Sequence, residues 1–162
     1  KLHSQRVVIL GAGGAARSVG FSLAKAGVEK ITIANRTVPK GAALAQQLSP
    51  FTRTNAVSIQ ASNREIMDAT LVINTTSVGM HPDVGNMPID RKCLHSGLLV
   101  SDLVYNPRET ALLHAANERG AMIHHGVGML IYQAAIAIEL WTGKIAPVDV
   151  MRKALEESRL KS

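Results

Sequence analysis

The stretch Arg6 to Arg36, RVVILGAGGAARSVGFSLAKAGVEKITIANR, decides the fold. It opens on a fully apolar, β-branched run, Val7 to Leu10, of the kind that a strand buried on both faces requires. A glycine-rich turn follows, in which Gly11, Gly13 and Ala16 supply the G-x-G-x-x-A spacing. That spacing means a tight turn, a backbone bare enough to approach a pyrophosphate, and a small residue where helix packs on strand. Ala15 to Ala26 then carries Ala16, Val19, Leu23 and Ala26 on one helical face and stops at Gly27. Ile31 to Ala34 is a second strand, after which the chain turns basic at Arg36. Strand, glycine turn, helix and strand make one βαβ unit, with the amides that open the helix facing an anion.

The same alternation continues outward. Pro39 to Leu48 reads as a helix with Pro39 in its first turn and Ala43, Leu44 and Leu48 inward. Ala56 to Gln60 is a short third strand, and Asn63 to Ala69 a short helix that Asn63 caps, with Glu65 in its first turn. Leu71 to Asn74 is a fourth strand leading into TTSVGMHPDVGNMP, where Gly79, Pro82, Gly85 and Pro88 forbid a regular element. Loops of that length in compact domains are functional or mobile. Leu98 to Val104 is a fifth strand ended by Asn106-Pro107, and Glu109 to Arg119 a helix with Leu112, Leu113 and Ala116 inward. Met122 to His124 is the sixth strand, followed by Gly126 and Gly128, a long apolar helix from Met129 to Trp141 closed by Gly143, and an amphipathic helix from Pro147 to Leu160. Six strands separated by helices predict an α/β fold, a doubly wound six-stranded parallel Rossmann-type sheet with helices on both faces, in one domain spanning residues 1–162.

Composition narrows the function classes. With 46 % hydrophobic and 19 % charged residues in 162, the chain can bury a core, which argues against disorder. No apolar run approaches the roughly 18 residues of a membrane span, since Gln133 and Glu139 interrupt the longest one. The sequence opens on Lys1 with neither methionine nor an apolar leader and reads as a piece of a longer one. A single cysteine, Cys93, excludes an internal disulfide and points to a reducing, cytoplasmic setting. Cys93 lies near His95 in RKCLHSG, which reads as a turn or short helix start rather than as a nucleophile site. The net charge of +6 suits an anionic ligand, but the cations are scattered and aromatics are only 3 %, so a phosphate-bearing cofactor is expected and nucleic acid is not.

In such a sheet, ligands bind beyond the carboxyl ends of the strands. The end of the second strand selects the cofactor, because a carboxylate there accepts from the ribose hydroxyls of NAD and repels a 2′-phosphate. Here Asn35 and Arg36 stand instead, and no Asp or Glu lies between Glu29 and Glu65. Arg36 offers a planar fork of donors, with Thr37 and Lys40 nearby. Taken alone, Arg36 and Lys40 read equally well as solvated loop cations. Placed at this distance behind a glycine turn, they predict NADP. Asp102, at a strand end, is expected to bond backbone donors and carries no assigned chemistry, while adjacent His124 and His125 face opposite ways and cannot pair on a metal. No His, Cys, Asp and Glu spacing resembles a metal cluster. From the residues alone, Tyr105 packs a turn and Gln133 fills a polar gap in a buried helix.

GAGGAAR (Gly11 to Arg17), NRT (Asn35 to Thr37), NTTSVGM (Asn74 to Met80), DLVYNPRET (Asp102 to Thr110) and GVGMLIYQAA (Gly126 to Ala135) occur in that order. Together they closely resemble the cofactor-binding domain of the shikimate/quinate dehydrogenase family, over nearly the whole chain. The resemblance implies NADP-dependent, reversible reduction of 3-dehydroshikimate to shikimate in aromatic amino-acid biosynthesis. It implies that Gly11, Ala12, Gly13, Gly14 and Ala15 hold the pyrophosphate and that Asn35, Arg36, Thr37 and Lys40 surround the ribose and its 2′-phosphate. Lys40 stands where the family often has arginine. By the same likeness, Thr75, Thr76, Ser77 and Val78 line the cofactor, the Leu103 backbone, Gly126 and Met129 border the nicotinamide, and Tyr105 and Gln133 reach the hydroxylated acid substrate. Members of this family carry their catalytic lysine and aspartate, and a serine pair for the substrate carboxylate, on a preceding domain. No catalytic residue is therefore expected in this chain, which should bind NADP and reduce little, and its last helix, with Val150, Ala154 and Leu155, should pack toward that domain or dimerise. A stand-alone NADP-binding or sensing module and a quinate-using enzyme are the alternatives, and oligomeric state is not legible.

Overall fold

Strands buried on both faces need apolar side chains at consecutive positions, and Val7, Val8, Ile9 and Leu10 meet that need, none being more than 2 % exposed. Alternation sends Val7 and Ile9 into one core cluster with Ile31 and Ile33, and Val8 and Leu10 into a second with Val72 and Val100. The computed structural model describes residues 2–159, so Leu160, the expected end of the last helix, lies outside the described residues. In chain order the elements are β1 (Arg6–Leu10), α1 (Gly14–Lys25), β2 (Lys30–Asn35), α2 (Val38–Leu48), β3 (Arg53–Ser58), α3 (Asn63–Met67), β4 (Leu71–Asn74), β5 (Leu99–Asp102), α4 (Ala111–Glu118), β6 (Met122–His125), α5 (Val127–Thr142) and α6 (Val148–Arg159). Single 3-10 turns occupy Leu2–Ser4, Ile59–Ala61 and Arg91–Cys93. Two compact units result, one ending at His125 and the other beginning at Gly126.

The first unit is a six-stranded, all-parallel sheet of order β3-β2-β1-β4-β5-β6. Ala16 and Ala24 of α1 and Leu44, Ala45 and Leu48 of α2 join the cluster on one face. Ile66 of α3, Leu94, and Leu112, Leu113 and Ala116 of α4 join the cluster on the other, which makes the sheet doubly wound as expected. The chain winds outward from β1 to β3 and then returns to place β4 on the other flank of β1. Strand order therefore reverses between β1 and β4, where such folds hold their ligands.

Several local expectations are corrected. β3 begins at Arg53 and ends at Ser58 rather than running from Ala56 to Gln60. It is an edge strand with every other residue exposed at its start, so RTNA carries little apolar signal, and Ile59 and Gln60 form the 3-10 turn instead. β5 stops at Asp102 rather than Val104, because the Asp102 carboxylate takes the Val104 amide at 2.9 Å and turns the chain. α4 starts at Ala111 rather than Glu109, since the Thr110 hydroxyl accepts from the Leu113 amide and sets the helix start. Asn63 is not a cap: it is the first residue of α3, Ser62 holds the cap position, and the Ser62 hydroxyl donates to the Ile59 carbonyl at 2.8 Å. Ala26 and Ala43, expected inward, are exposed, and Gly20 and Ala45 take the buried positions. Small residues at the inner face of α1 bring it close to α2, with a Cβ on Gly20 falling 3.0 Å from Leu48 Cδ1.

In the second unit, α5 ends where Gly143 adopts φ +67 and its amide returns to the Glu139 carbonyl at 2.8 Å. The Glu139 carboxylate accepts from the Ala146 amide at 3.1 Å and so fixes the link to α6. On α6, Val150 and Ala154 are exposed and Leu155 is half-buried.

Candidate functional site

The glycine turn between β1 and α1 is shaped by two opposite demands. Gly11 leaves the strand at φ +111 while its amide donates to the Ala34 carbonyl at 2.8 Å. A Cβ at that position would lie 2.7 Å from Thr75 Oγ1 and 3.2 Å from Thr76 Cγ2, so the backbone passes flush against the loop that follows β4. Gly13, which caps α1, and Gly14, its first residue, are the reverse case: a Cβ on either would meet nothing within 4 Å. The first helical hydrogen bond is Arg17 N–H to Gly13 O, which leaves the amides before Arg17 without intrahelical partners. No side chain caps them and no acidic residue stands in the first turn. Ala16, fully buried, seats the helix on the sheet. An uncapped positive helix end behind bare, open backbone fits a pyrophosphate.

At the end of β2, half-buried Asn35 donates from Nδ2 to the Thr37 carbonyl at 2.8 Å and so folds the turn that leads into α2. Arg36, Thr37 and Lys40 are all exposed. Thr37 caps α2 without a side-chain bond, and the first turn of α2 has no acidic residue. Among the described residues neither Arg36 nor Lys40 forms an ion pair. Two unpartnered cations beside a second uncapped helix start fit a phosphate monoester.

Sequence reasoning missed what lies beneath the ends of β4 and β5. Asn74 and Asp102 are partners in the parallel register, and both are fully buried. Asn74 Nδ2 donates to Asp102 Oδ1 at 3.0 Å, and Val104 N–H donates to the same oxygen at 2.9 Å. The Thr110 hydroxyl donates to Asp102 Oδ2 at 2.6 Å. Asn74 Oδ1 in turn accepts from the Thr76 amide at 3.0 Å and the Thr76 hydroxyl at 2.7 Å, and Val78 N–H donates to Thr76 Oγ1 at 3.2 Å. Asp102 thus bonds one backbone donor, as expected, and also two side chains. Burial pushes its carboxyl upward in pKa, opposed by the hydrogen bonds from Thr110, Val104 and Asn74. A carboxyl raised in the folded state favours folding most below its ordinary value of 3.8 and loses that contribution as pH rises through the raised value. The unfolding free energy of the wild type relative to Asp102→Asn is therefore expected to fall as pH climbs from about 3.8 toward neutrality, measured by urea denaturation at successive pH values.

In the first unit, the candidate residues after β1, β2, β4 and β5 all lie along the carboxyl edge of four adjacent strands. Thr75 continues the sheet by donating its amide and hydroxyl to the Leu10 carbonyl at 2.9 and 2.7 Å. Leu103 donates its amide to the Asn74 carbonyl at 3.0 Å, Val78 is half-buried, and Ser77 and Tyr105 are exposed. Gly126, Met129 and Gln133 belong to the second unit, where Gly126 caps α5, Met129 is half-buried and Gln133 is exposed. His124 and His125 bond different partners, Ser101 Oγ and the Arg108 carbonyl. Cys93 is buried, and burial raises its thiol pKa. Among the described residues no cluster of His, Cys, Asp and Glu could hold a metal, and no helix is long and apolar enough to cross a membrane.

A parallel sheet reversed at β1, with an open glycine turn at the switch point, defines a Rossmann-type dinucleotide-binding protein. The chain belongs to the shikimate/quinate dehydrogenase family: the family model described as "Shikimate / quinate 5-dehydrogenase" matches residues 1–111, and that of the shikimate 5'-dehydrogenase C-terminal domain matches residues 126–156. A shikimate dehydrogenase (NADP(+)) of Bacillus cereus is 41 % identical over 152 residues, covering 94 % of this chain and 55 % of the relative. Among solved structures, a shikimate dehydrogenase in complex with NADP+ superposes with a TM-score of 0.84 at 36 % identity, over 98 % of this chain and 56 % of the other. A quinate dehydrogenase from Corynebacterium glutamicum in complex with NAD gives 0.86 at 34 % identity, over 97 % and 56 %. The chain spans about half the length of the relatives it matches.

Proposed function

We propose that this chain is the cofactor half of an NADP-dependent shikimate dehydrogenase, and that the intact enzyme reversibly reduces 3-dehydroshikimate to shikimate with NADPH. The observation that supports this reading most is the end of β2, where Arg36 and Lys40 stand exposed, form no ion pair among the described residues, and have no carboxylate near them in sequence. Relatives of this fold have been solved with NADP and with NAD, so the fold alone does not choose between them. On this reading Gly11 to Ala15 bind the pyrophosphate through backbone amides. Asn35 shapes the turn from which Arg36, Thr37 and Lys40 grip the 2′-phosphate. Thr75 to Val78 line the cofactor, the Leu103 backbone borders the nicotinamide, and Tyr105 orients a substrate hydroxyl. The resemblance gives Gly126 and Met129 a role at the nicotinamide and Gln133 a role at the substrate. A bound nicotinamide supplies the hydride, while the proton at the ring oxygen is handled by groups that the family carries on its preceding domain.

Isolated, the chain is expected to bind NADPH but to form none from NADP+ and shikimate above the buffer rate, followed by NADPH absorbance. Measurable shikimate oxidation by the isolated chain would show that the proton-handling groups lie within it. A second reading, quinate as substrate, draws on the comparable likeness to a quinate dehydrogenase. Assaying the intact enzyme with both acids separates the two.

A further inference from the structure

Asp102 sits at the centre of a hydrogen-bonded chain that reaches from the start of α4 to the turn after β4. Thr110, which caps α4, donates to one carboxylate oxygen, and Asn74 and the Val104 amide donate to the other. Through Asn74 Oδ1 the same chain fixes the amide and hydroxyl of Thr76, and through Thr76 Oγ1 it fixes the amide of Val78. Asn74 also donates to the Val78 carbonyl at 3.3 Å, and its own carbonyl holds the Leu103 amide. Every segment that this network ties down lies at the carboxyl ends of β4 and β5, on the β4 side of the switch point. It meets the glycine turn at Gly11, where a Cβ would lie 3.2 Å from Thr76 Cγ2, whereas a Cβ on Gly13 or Gly14 would meet nothing within 4 Å.

We propose that Asp102, with Thr110 and Asn74, is a positioning residue that holds the Thr76–Val78 turn and the Leu103–Tyr105 turn in register for the nicotinamide half of the cofactor. The inference rests on the cofactor reading above. Asp102 is fully buried and touches no ligand surface itself, so it acts only through the groups it holds. Its two oxygens accept three bonds and donate none, which fixes the sense of every bond around it: the Asn74 amide must point its nitrogen at Asp102 and hence its oxygen at Thr76. Removing the acceptor leaves buried donors unpaired and frees the Asn74 side chain to turn over.

The test compares two ligands on the whole chain by calorimetric titration. Adenosine 2′,5′-bisphosphate carries the adenosine and the 2′-phosphate but no nicotinamide, whereas NADPH carries both ends. Thr110→Val removes the donor to Asp102 together with the cap on the Leu113 amide, without touching either ligand surface, and Asp102→Ala removes the whole acceptor. Both are expected to weaken NADPH about tenfold, the scale of a buried hydrogen-bonding group left unpaired, while adenosine 2′,5′-bisphosphate binds within about twofold of wild type. Thr110→Ser, which keeps the hydroxyl, is expected to restore NADPH affinity. Asp102→Asn is expected to recover only part of the affinity: its amide oxygen still accepts from Asn74 and Val104, but its NH2 faces Thr110 Oγ1 and takes away the acceptor of the Thr110 hydroxyl. Equal weakening of both ligands would reduce Asp102 to a general stabiliser and overturn the proposal, as would unchanged NADPH affinity in Thr110→Val. Should wild type bind neither ligand, the cofactor reading itself fails, and this inference falls with it.

Discussion

Arg36→Ala is expected to weaken NADPH binding by about 30- to 150-fold and to leave NADH binding within about twofold, in titrations followed by nicotinamide fluorescence. The size follows from the roughly 2–3 kcal/mol that charge-assisted hydrogen bonds to a phosphate contribute. The selectivity follows from location: Arg36 is exposed, forms no ion pair among the described residues, and stands at the end of β2. Arg36→Lys keeps the charge but loses the planar fork, so it should recover only part of the loss. Because the pair is solvent-facing, raising the salt concentration should narrow the difference between wild type and Arg36→Ala. Equal NADPH affinity in the two proteins would remove Arg36 from the site.

The glycine turn carries the second large effect, and its two halves should fail differently. Gly11→Ala forces an alanine to φ +111 and drives its Cβ to 2.7 Å from Thr75 Oγ1. Backbone strain and overpacking together predict a destabilisation of about 2–5 kcal/mol, read from urea denaturation, along with lost NADPH binding. Gly13→Ala places its Cβ in open space at φ -87, which alanine adopts freely. It should therefore leave stability within about 1 kcal/mol and still weaken NADPH at least tenfold, because the open space is where the pyrophosphate meets backbone. A Gly13→Ala protein of normal stability and normal NADPH affinity would place the phosphates elsewhere.

The contrast between those two glycines also shows what could be read in advance. The glycine spacing and the buried run from Val7 to Leu10 are local patterns with one physical meaning, so the βαβ unit and the doubly wound sheet were legible. The exposed place of Arg36 just beyond β2 was legible for a similar reason, since it is fixed by the length of that strand. β3 was displaced by three residues because an edge strand needs only one apolar face, and Arg53 and Asn55 are exposed. Of the network around Asp102, the bond from a backbone donor was expected and the side-chain partners were not. Its members lie 28 and 8 residues from Asp102 in the chain, and hydrophobic pattern carries no information about which buried polar groups will meet. One signal was available: parallel register places the last residues of neighbouring strands side by side, and here both, Asn74 and Asp102, are polar. A buried polar pair at that edge requires further partners, and Thr76 and Thr110 supply them.

Helix starts behaved the same way. Asn63 has good capping chemistry, yet Ser62 takes the cap position, and its hydroxyl donates back to the Ile59 carbonyl instead of accepting from an α3 amide. Thr110, by contrast, serves two elements at once, accepting from the Leu113 amide and donating to Asp102.

The phosphate preference of this chain is measured most directly by a pair of titrations, one with NADPH and one with NADH, at the same ionic strength. NADPH is expected to bind tighter by about 30-fold or more, the contribution assigned to the phosphate grip of Arg36. NADH binding as tightly as NADPH, or neither binding at all, would contradict it.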